Sequence, residues 1–214
     1  LGHMLVRAAE RGMAGTASEV AMLLSERGLG GNDPDLDLRL RRWRTERGPR
    51  AENARRLAMR WAKLVGNAGA GDPAACIALA FPDRIAKRRD ATGESWASAG
   101  GRGFKLDAAS SLARAQWLAV AETQGMAAGA RILSAAPIDA NEVETLFADR
   151  IETRRSVTFD PATGRTEALR ERRLGAIRLS SGPDAAASAA EIEQALLEGV
   201  RAHGLDLLPW PQGA

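Results

Sequence analysis

Residues 95–106 read Ser-Trp-Ala-Ser-Ala-Gly-Gly-Arg-Gly-Phe-Lys-Leu. Two short strand-like runs, 95–99 and 104–106, flank Gly100, Gly101, Arg102 and Gly103. Glycine reaches the backbone conformations that a tight turn demands, so the stretch predicts a hairpin. The chain changes character just before it, near Asp90. Upstream the apolar residues recur at helical spacing; downstream they form short runs bounded by turn residues.

Four helices are expected upstream. Thr16 and Glu19 have capping-box spacing ahead of Val20, Leu23 and Leu24. Asp33-Pro34 starts a second helix carrying Leu36, Leu40 and Trp43, although Leu36, Leu38 and Leu40 also alternate as a strand would. Ala54, Leu57, Ala58, Trp61 and Leu64 form a helical stripe. Asp72-Pro73 opens another helix through Ile77 and Leu79 until Pro82 interrupts it. Downstream, further strands are expected at 117–121, 131–135, 151–159, 165–173 and 174–179, the third and fourth joined by the turn sequence 160–164. Asp139 and Glu142 cap a short helix bearing Val143 and Phe147; Ser188 and Glu191 cap a last one through Ile192, Leu196 and Val200. The fold class expected is α+β. A helical domain occupies 1–90, a small barrel with an inserted helix 91–182, and a C-terminal helix 183–214.

Composition excludes several classes. The 214 residues contain one cysteine, Cys76, and two histidines, His3 and His203, at opposite ends of the sequence. A disulfide framework is excluded, and Cys- or His-based metal chemistry is disfavoured. Cys76, in an apolar helix, is expected to be a small core residue. No run approaches the ~18 apolar residues of a membrane span, and no signal-peptide pattern is present. A cytoplasmic protein without a metal is expected. Lys63, Lys87 and Lys105 follow Ala62, Ala86 and Phe104, so no phosphate loop of the G-x-x-x-x-G-K type exists, nor does a G-x-S-x-G elbow. No catalytic residue is expected.

Charge is uneven. Residues 38–89 hold 14 Lys or Arg against four acids, in a chain of net charge +3. Most of these cations are Arg, whose fork suits phosphate. The field points either to a polyanionic partner or to ordinary solvated helix faces.

Several stretches together resemble one family. Residues 1–12 (Leu-Gly-His-Met-Leu-Val-Arg-Ala-Ala-Glu-Arg-Gly) and 21–27 (Ala-Met-Leu-Leu-Ser-Glu-Arg) resemble the start of the helicase-associated, or ratchet, region of HrpB-type bacterial helicases of the DEAH-box class. Residues 80–89, Ala-Phe-Pro-Asp-Arg-Ile-Ala-Lys-Arg-Arg, are similar to the family's (A/Y)-(F/Y)-P-D-R-I-A-x-R-R. Residues 100–106 resemble its N-G-R-G-A-x-L, with Gly100 in place of the usual Asn and Phe104 in place of Ala. Segments 117–122, 131–138, 174–179 and 204–210 follow in family order.

The resemblance implies a fragment: a ratchet-like helical domain, an OB-like barrel and a connecting helix. ATP and magnesium would belong to RecA-like domains lying outside it, and the fragment alone would be inactive. It further implies that the chain forms part of the wall of a single-stranded RNA or DNA channel. Cations would grip the backbone and flat side chains would meet bases. The candidates are Arg41, Arg42, Arg44, Arg84, Lys87, Arg88, Arg89, Arg102 and Lys105, with Trp96 as the stacking residue. Trp43, Trp61 and Trp117 are read as core. Arg154, Arg155, Arg170, Arg172 and Arg173 lie among Glu152, Glu167 and Glu171 and are read as ion-paired across the strands. The partners expected are single-stranded nucleic acid and the parent's RecA-like domains. The second reading is a module that docks an acidic protein through its Arg-rich helices.

Overall fold

A computed structural model describes residues 1–66, 68–126 and 128–204; the family-like stretch 205–210 lies outside the described residues. The described residues divide into two compact units, 1–149 with 175–177, and 150–174 with 178–204.

The first unit begins with helices α1 (Gly2–Ala9), α2 (Ala14–Ser25), α3 (Leu36–Thr45), α4 (Pro49–Leu64) and α5 (Pro73–Ala80). Helix α5 is the hub, with every residue from Ala74 to Leu79 buried. It starts as the sequence predicts: Asp72 caps it by accepting the Ala74 N–H at 3.0 Å, and Pro73 occupies the first turn. Residues 36–40 are helical, which resolves their ambiguous alternation. The cap, however, is Asp35, which accepts from Asp37 and Leu38; Asp33 instead holds the Asp35 N–H. Thr16 is no cap either. Helix α2 has already begun at Ala14, and the Thr16 hydroxyl accepts the Gly71 N–H at 2.9 Å.

Helix α4 departs from its expected face. Its buried residues are Ala51, Ala54, Ala58 and Ala62, while Leu57 and Leu64 are exposed. Small side chains let α4 approach α2 closely, and that contact, rather than the Leu stripe, sets its orientation. Beside it Arg39 is buried, donating to the carbonyls of Leu23 at 3.1 Å and Leu29 at 3.3 Å. This satisfies a buried cation with backbone acceptors.

The barrel follows directly. Its strands are β1 (Ile85–Arg88), β2 (Ser95–Ser98), β3 (Gly103–Lys105), β4 (Trp117–Gln124) and β5 (Ala128–Pro137), closed in the order β1-β2-β3-β5-β4. All neighbours are antiparallel except β3 and β5, which run parallel. This is an OB-like barrel of Greek-key type. Its core includes Ala86, Trp96, Phe104, Leu118, Val120 and Ile132. Strand β1 was not expected, and the barrel therefore opens before Asp90. Between β3 and β4 the chain makes only a 3-10 turn, Ser111–Arg114. Helix α6 (Ala140–Leu146), expected inside the barrel, follows its last strand. Helices and barrel are joined through Asp35, which bridges to Ala135 and accepts from the Ser111 hydroxyl at 3.2 Å.

The second unit is a sheet of its own. Strands β6 (Ile151–Asp160), β7 (Arg165–Leu174) and β8 (Ile177–Pro183), expected within the barrel, form a three-stranded sheet against helix α7 (Ala189–His203). Ser188 and Glu191 make the expected capping box. Gly199 lets α7 sit close on Phe159, where a Cβ would lie 2.2 Å from the ring. The hairpin cations are paired differently from the expected cross-strand pattern: Arg154 joins Glu152 and Arg173 joins Glu171 along a single strand, Arg155 reaches Asp184 beyond the hairpin, and Arg178 of β8 also meets Glu171.

Candidate nucleic-acid interface

Strand alternation sorts the candidate residues. Arg88, Trp96 and Phe104 stand opposite one another across β1, β2 and β3, so they share one face. That face is the barrel interior: Trp96 is 1% exposed and Phe104 3%. The Trp96 indole N–H donates to the Gly93 carbonyl at 2.7 Å. Trp96 is therefore a core residue, and the expectation that it stacks on bases is corrected. Arg88 reaches out of the same face to donate to the carbonyls of Ala113 and Arg114 at 3.2 and 3.3 Å.

The opposite face carries Ser95 and Lys105, which are register partners, and Arg89 is exposed beside them. Lys105 Nζ donates to Ser95 Oγ at 2.8 Å. The β2–β3 turn closes through Ser98, which accepts the Arg102 N–H on Oγ at 2.9 Å and the Gly101 N–H on its carbonyl at 2.9 Å. Gly101 has φ +83, a left-handed conformation natural to glycine. Gly100 packs on Asp83, where a Cβ would lie 3.0 Å from the carbonyl oxygen, tighter than an Asn there would tolerate without a shift.

Together these residues form a groove of about 540 Å³ lined by Arg89, Ser95, Gly101, Arg102, Gly103, Lys105 and Gly129, with Trp96 and Phe104 beneath. No carboxylate lines it. Three cations over a glycine-rich floor offer an electropositive surface that a backbone can approach closely. Sequence reasoning missed one neighbour. Arg131, exposed on β5, is the parallel partner of Lys105. Only the β3–β5 pairing brings it there.

The other candidates are placed elsewhere. Arg41 pairs with Asp37 at 2.9 Å, and Arg44 holds Glu19 through two nitrogens, which raises the Arg44 pKa. Arg42 is exposed on α3 near Gly31. Arg84 lies over the Phe81 ring at 4.6 Å and donates to the Ala121 carbonyl at 2.7 Å. Lys87 Nζ sits 5.4 Å from the Trp117 ring centre. The Arg-rich helix α3 thus has three of its cations, Arg39, Arg41 and Arg44, engaged by its own chain, which weakens the acidic-partner reading for that helix.

Other chemistry is sparse. Cys76 is buried, and burial pushes its thiol up to about 12. Among the described residues, no group of three or more His, Cys, Asp or Glu could hold a metal ion, and no helix is long and apolar enough to cross a membrane.

No family model matches the chain. In a comparison covering 98% of its length it is 35% identical to the ATP-dependent RNA helicase HrpB of Escherichia coli K12, of which it spans 26%. The crystal structure of the E. coli DExH-box NTPase HrpB superposes with a TM-score of 0.72 at 31% identity, and that of the E. coli DEAH/RHA helicase HrpB with 0.68 at 27%. Each match covers 98% of this chain and 26% of the solved one.

Proposed function

This chain is related over nearly its whole length to a region of the HrpB-type helicases, and from that premise we propose that it is a non-motor part of an ATP-dependent helicase that holds single-stranded nucleic acid. The carrying observation is the carboxylate-free groove of Arg89, Arg102 and Lys105 on the β2–β3 face. Small barrels of this topology use that face for oligonucleotides. The groove supports a backbone grip: guanidinium and ammonium groups meet phosphates, while Gly101, Gly103 and Gly129 leave room for the chain to approach. Exposed aromatics are absent from its lining, so contacts to bases contribute little. RNA is the first substrate to test, because the relative is an RNA helicase by name.

The chain's own residues do not fit ATP. No glycine precedes Lys63, Lys87 or Lys105, and Lys105 is tethered to Ser95. Hydrolysis by this region alone is expected to be nil, with or without RNA, in a phosphate-release assay.

The grip is tested by fluorescence anisotropy with single-stranded RNA across a salt series. Each phosphate contact contributes about 0.7 to the slope of log K against log salt for a single strand. Reversing Arg89, Arg102 and Lys105 to Glu is expected to reduce the slope by about 2. An unchanged slope removes the groove from the function.

A further inference from the structure

Helix α4 hides its small side chains and displays its large ones. Its buried residues are four alanines, whereas Leu57 is 39%, Met59 57% and Leu64 83% exposed. At about 100° per residue, Arg56, Arg60 and Lys63 form a stripe down the outer face. Leu57 and Leu64 run along one flank and Met59 along the other. Leu57 borders a groove of about 440 Å³ shared with Met22, Leu29 and Glu26, the last paired with Arg50; Met59 borders one of about 390 Å³ shared with Ala58, Ala62 and Glu19, the last paired with Arg44.

We propose that this face of α4 docks an acidic amphipathic helix of a separate protein. The cations are available: Arg56 bonds to Asn53, and neither Arg60 nor Lys63 has a carboxylate partner among the described residues. The one acid of α4 is Glu52. Single exposed leucines are ordinary, but here the apolar side chains flank one cationic stripe at helical spacing. A carboxylate row with apolar neighbours complements both features at once. Nucleic acid would satisfy the cations and leave Leu57, Met59 and Leu64 in water. The inference does not depend on the barrel groove.

Fluorescence anisotropy of the whole chain with a labelled helical peptide tests it, the peptide carrying a glutamate stripe between leucines. A twin with lysine for glutamate is the control. The glutamate peptide is expected to bind at least about tenfold more tightly than its twin. The triple variant R56E/R60E/K63E inverts that preference. L57S/L64S weakens the glutamate peptide about tenfold; circular dichroism and Tm, read alongside, check that the variant is folded, since Leu57 is 39% and Leu64 83% exposed. Equal binding of the twins, or full binding by L57S/L64S, overturns the proposal. Displacement of the peptide by single-stranded RNA assigns the face to nucleic acid instead. A dimer seen in sedimentation and lost in L57S/L64S assigns it to a second copy of the chain. Either result also overturns it.

Discussion

Lys105 Nζ is bonded to Ser95 Oγ at 2.8 Å across the β2–β3 pair. The bond holds the ammonium over the groove rather than letting it trail in solvent. Charge and tether can be separated. Ser95→Ala keeps the charge and is expected to change single-stranded RNA affinity by less than about threefold, whereas Lys105→Glu lowers it by about tenfold or more. Anisotropy at two salt concentrations distinguishes them. Equal losses in both variants would mean that the tether, not the charge, controls binding.

Trp96 makes the opposite case. It packs with Phe104 inside the barrel and uses its N–H internally. Trp96→Ala is expected to destabilise the first unit by about 3–5 kcal/mol in urea unfolding. Trp96→Leu, compared in folded protein, should leave RNA affinity within about twofold, since a lost stacking platform would cost about 1–3 kcal/mol per base. A tenfold loss in the folded Leu variant would return Trp96 to the interface.

The hairpin at 95–106, the Asp72 cap and the Ser188–Glu191 box were legible because each depends on neighbours a few residues away. Strand β1 was not: Ile-Ala-Lys-Arg is four residues inside a basic run, with too little alternation to mark it. The segregation of β6, β7 and β8 was hidden for a different reason. Closure depends on the parallel β3–β5 pairing, which no local pattern encodes. The same pairing concealed Arg131. Trp96 lay on a strand as expected, but alternation alone does not say which side faces inward. That sign comes from the register with Arg88 and Phe104. On α4 the stripe had the right period but was offset: Ala54 and Ala58 are buried as expected, while Ala51 and Ala62 take the places expected of Leu57 and Leu64, because alanines allow closer packing.

Gly28 and Gly30 offer a controlled pair in one loop. Both have left-handed backbones, with φ +83 and +64. A Cβ on Gly28 meets nothing within 4 Å, but one on Gly30 would lie 2.0 Å from the Arg39 carbonyl oxygen. Gly28→Ala is expected to cost about 1 kcal/mol, the conformational penalty alone. Gly30→Ala adds a backbone clash and should cost more than about 2 kcal/mol. It also shifts the segment whose Leu29 carbonyl receives Arg39. Urea midpoints measure both, and equal costs would contradict the clash.

Helix α6 carries a proton-sensitive contact. Burial, then the hydrogen bond to Asp72 and the charges of Asp72 and Asp139, push the Glu142 carboxyl up to about 7. These acids line one cavity with Gln116 and Trp117, and no cation lines it. An unfolded glutamate titrates near about 4.3, so the folded state binds its proton more tightly. The resulting stability is complete below that value and disappears as pH rises through about 7. The parent is therefore expected to lose Tm between about pH 5 and pH 8 from this contact. Glu142→Gln keeps a hydrogen-bond donor for Asp72 without acquiring a charge. Its Tm should fall less over the same range and exceed the parent's at the alkaline end. Parallel Tm curves for the two proteins would show that the carboxyl pair does not govern stability there.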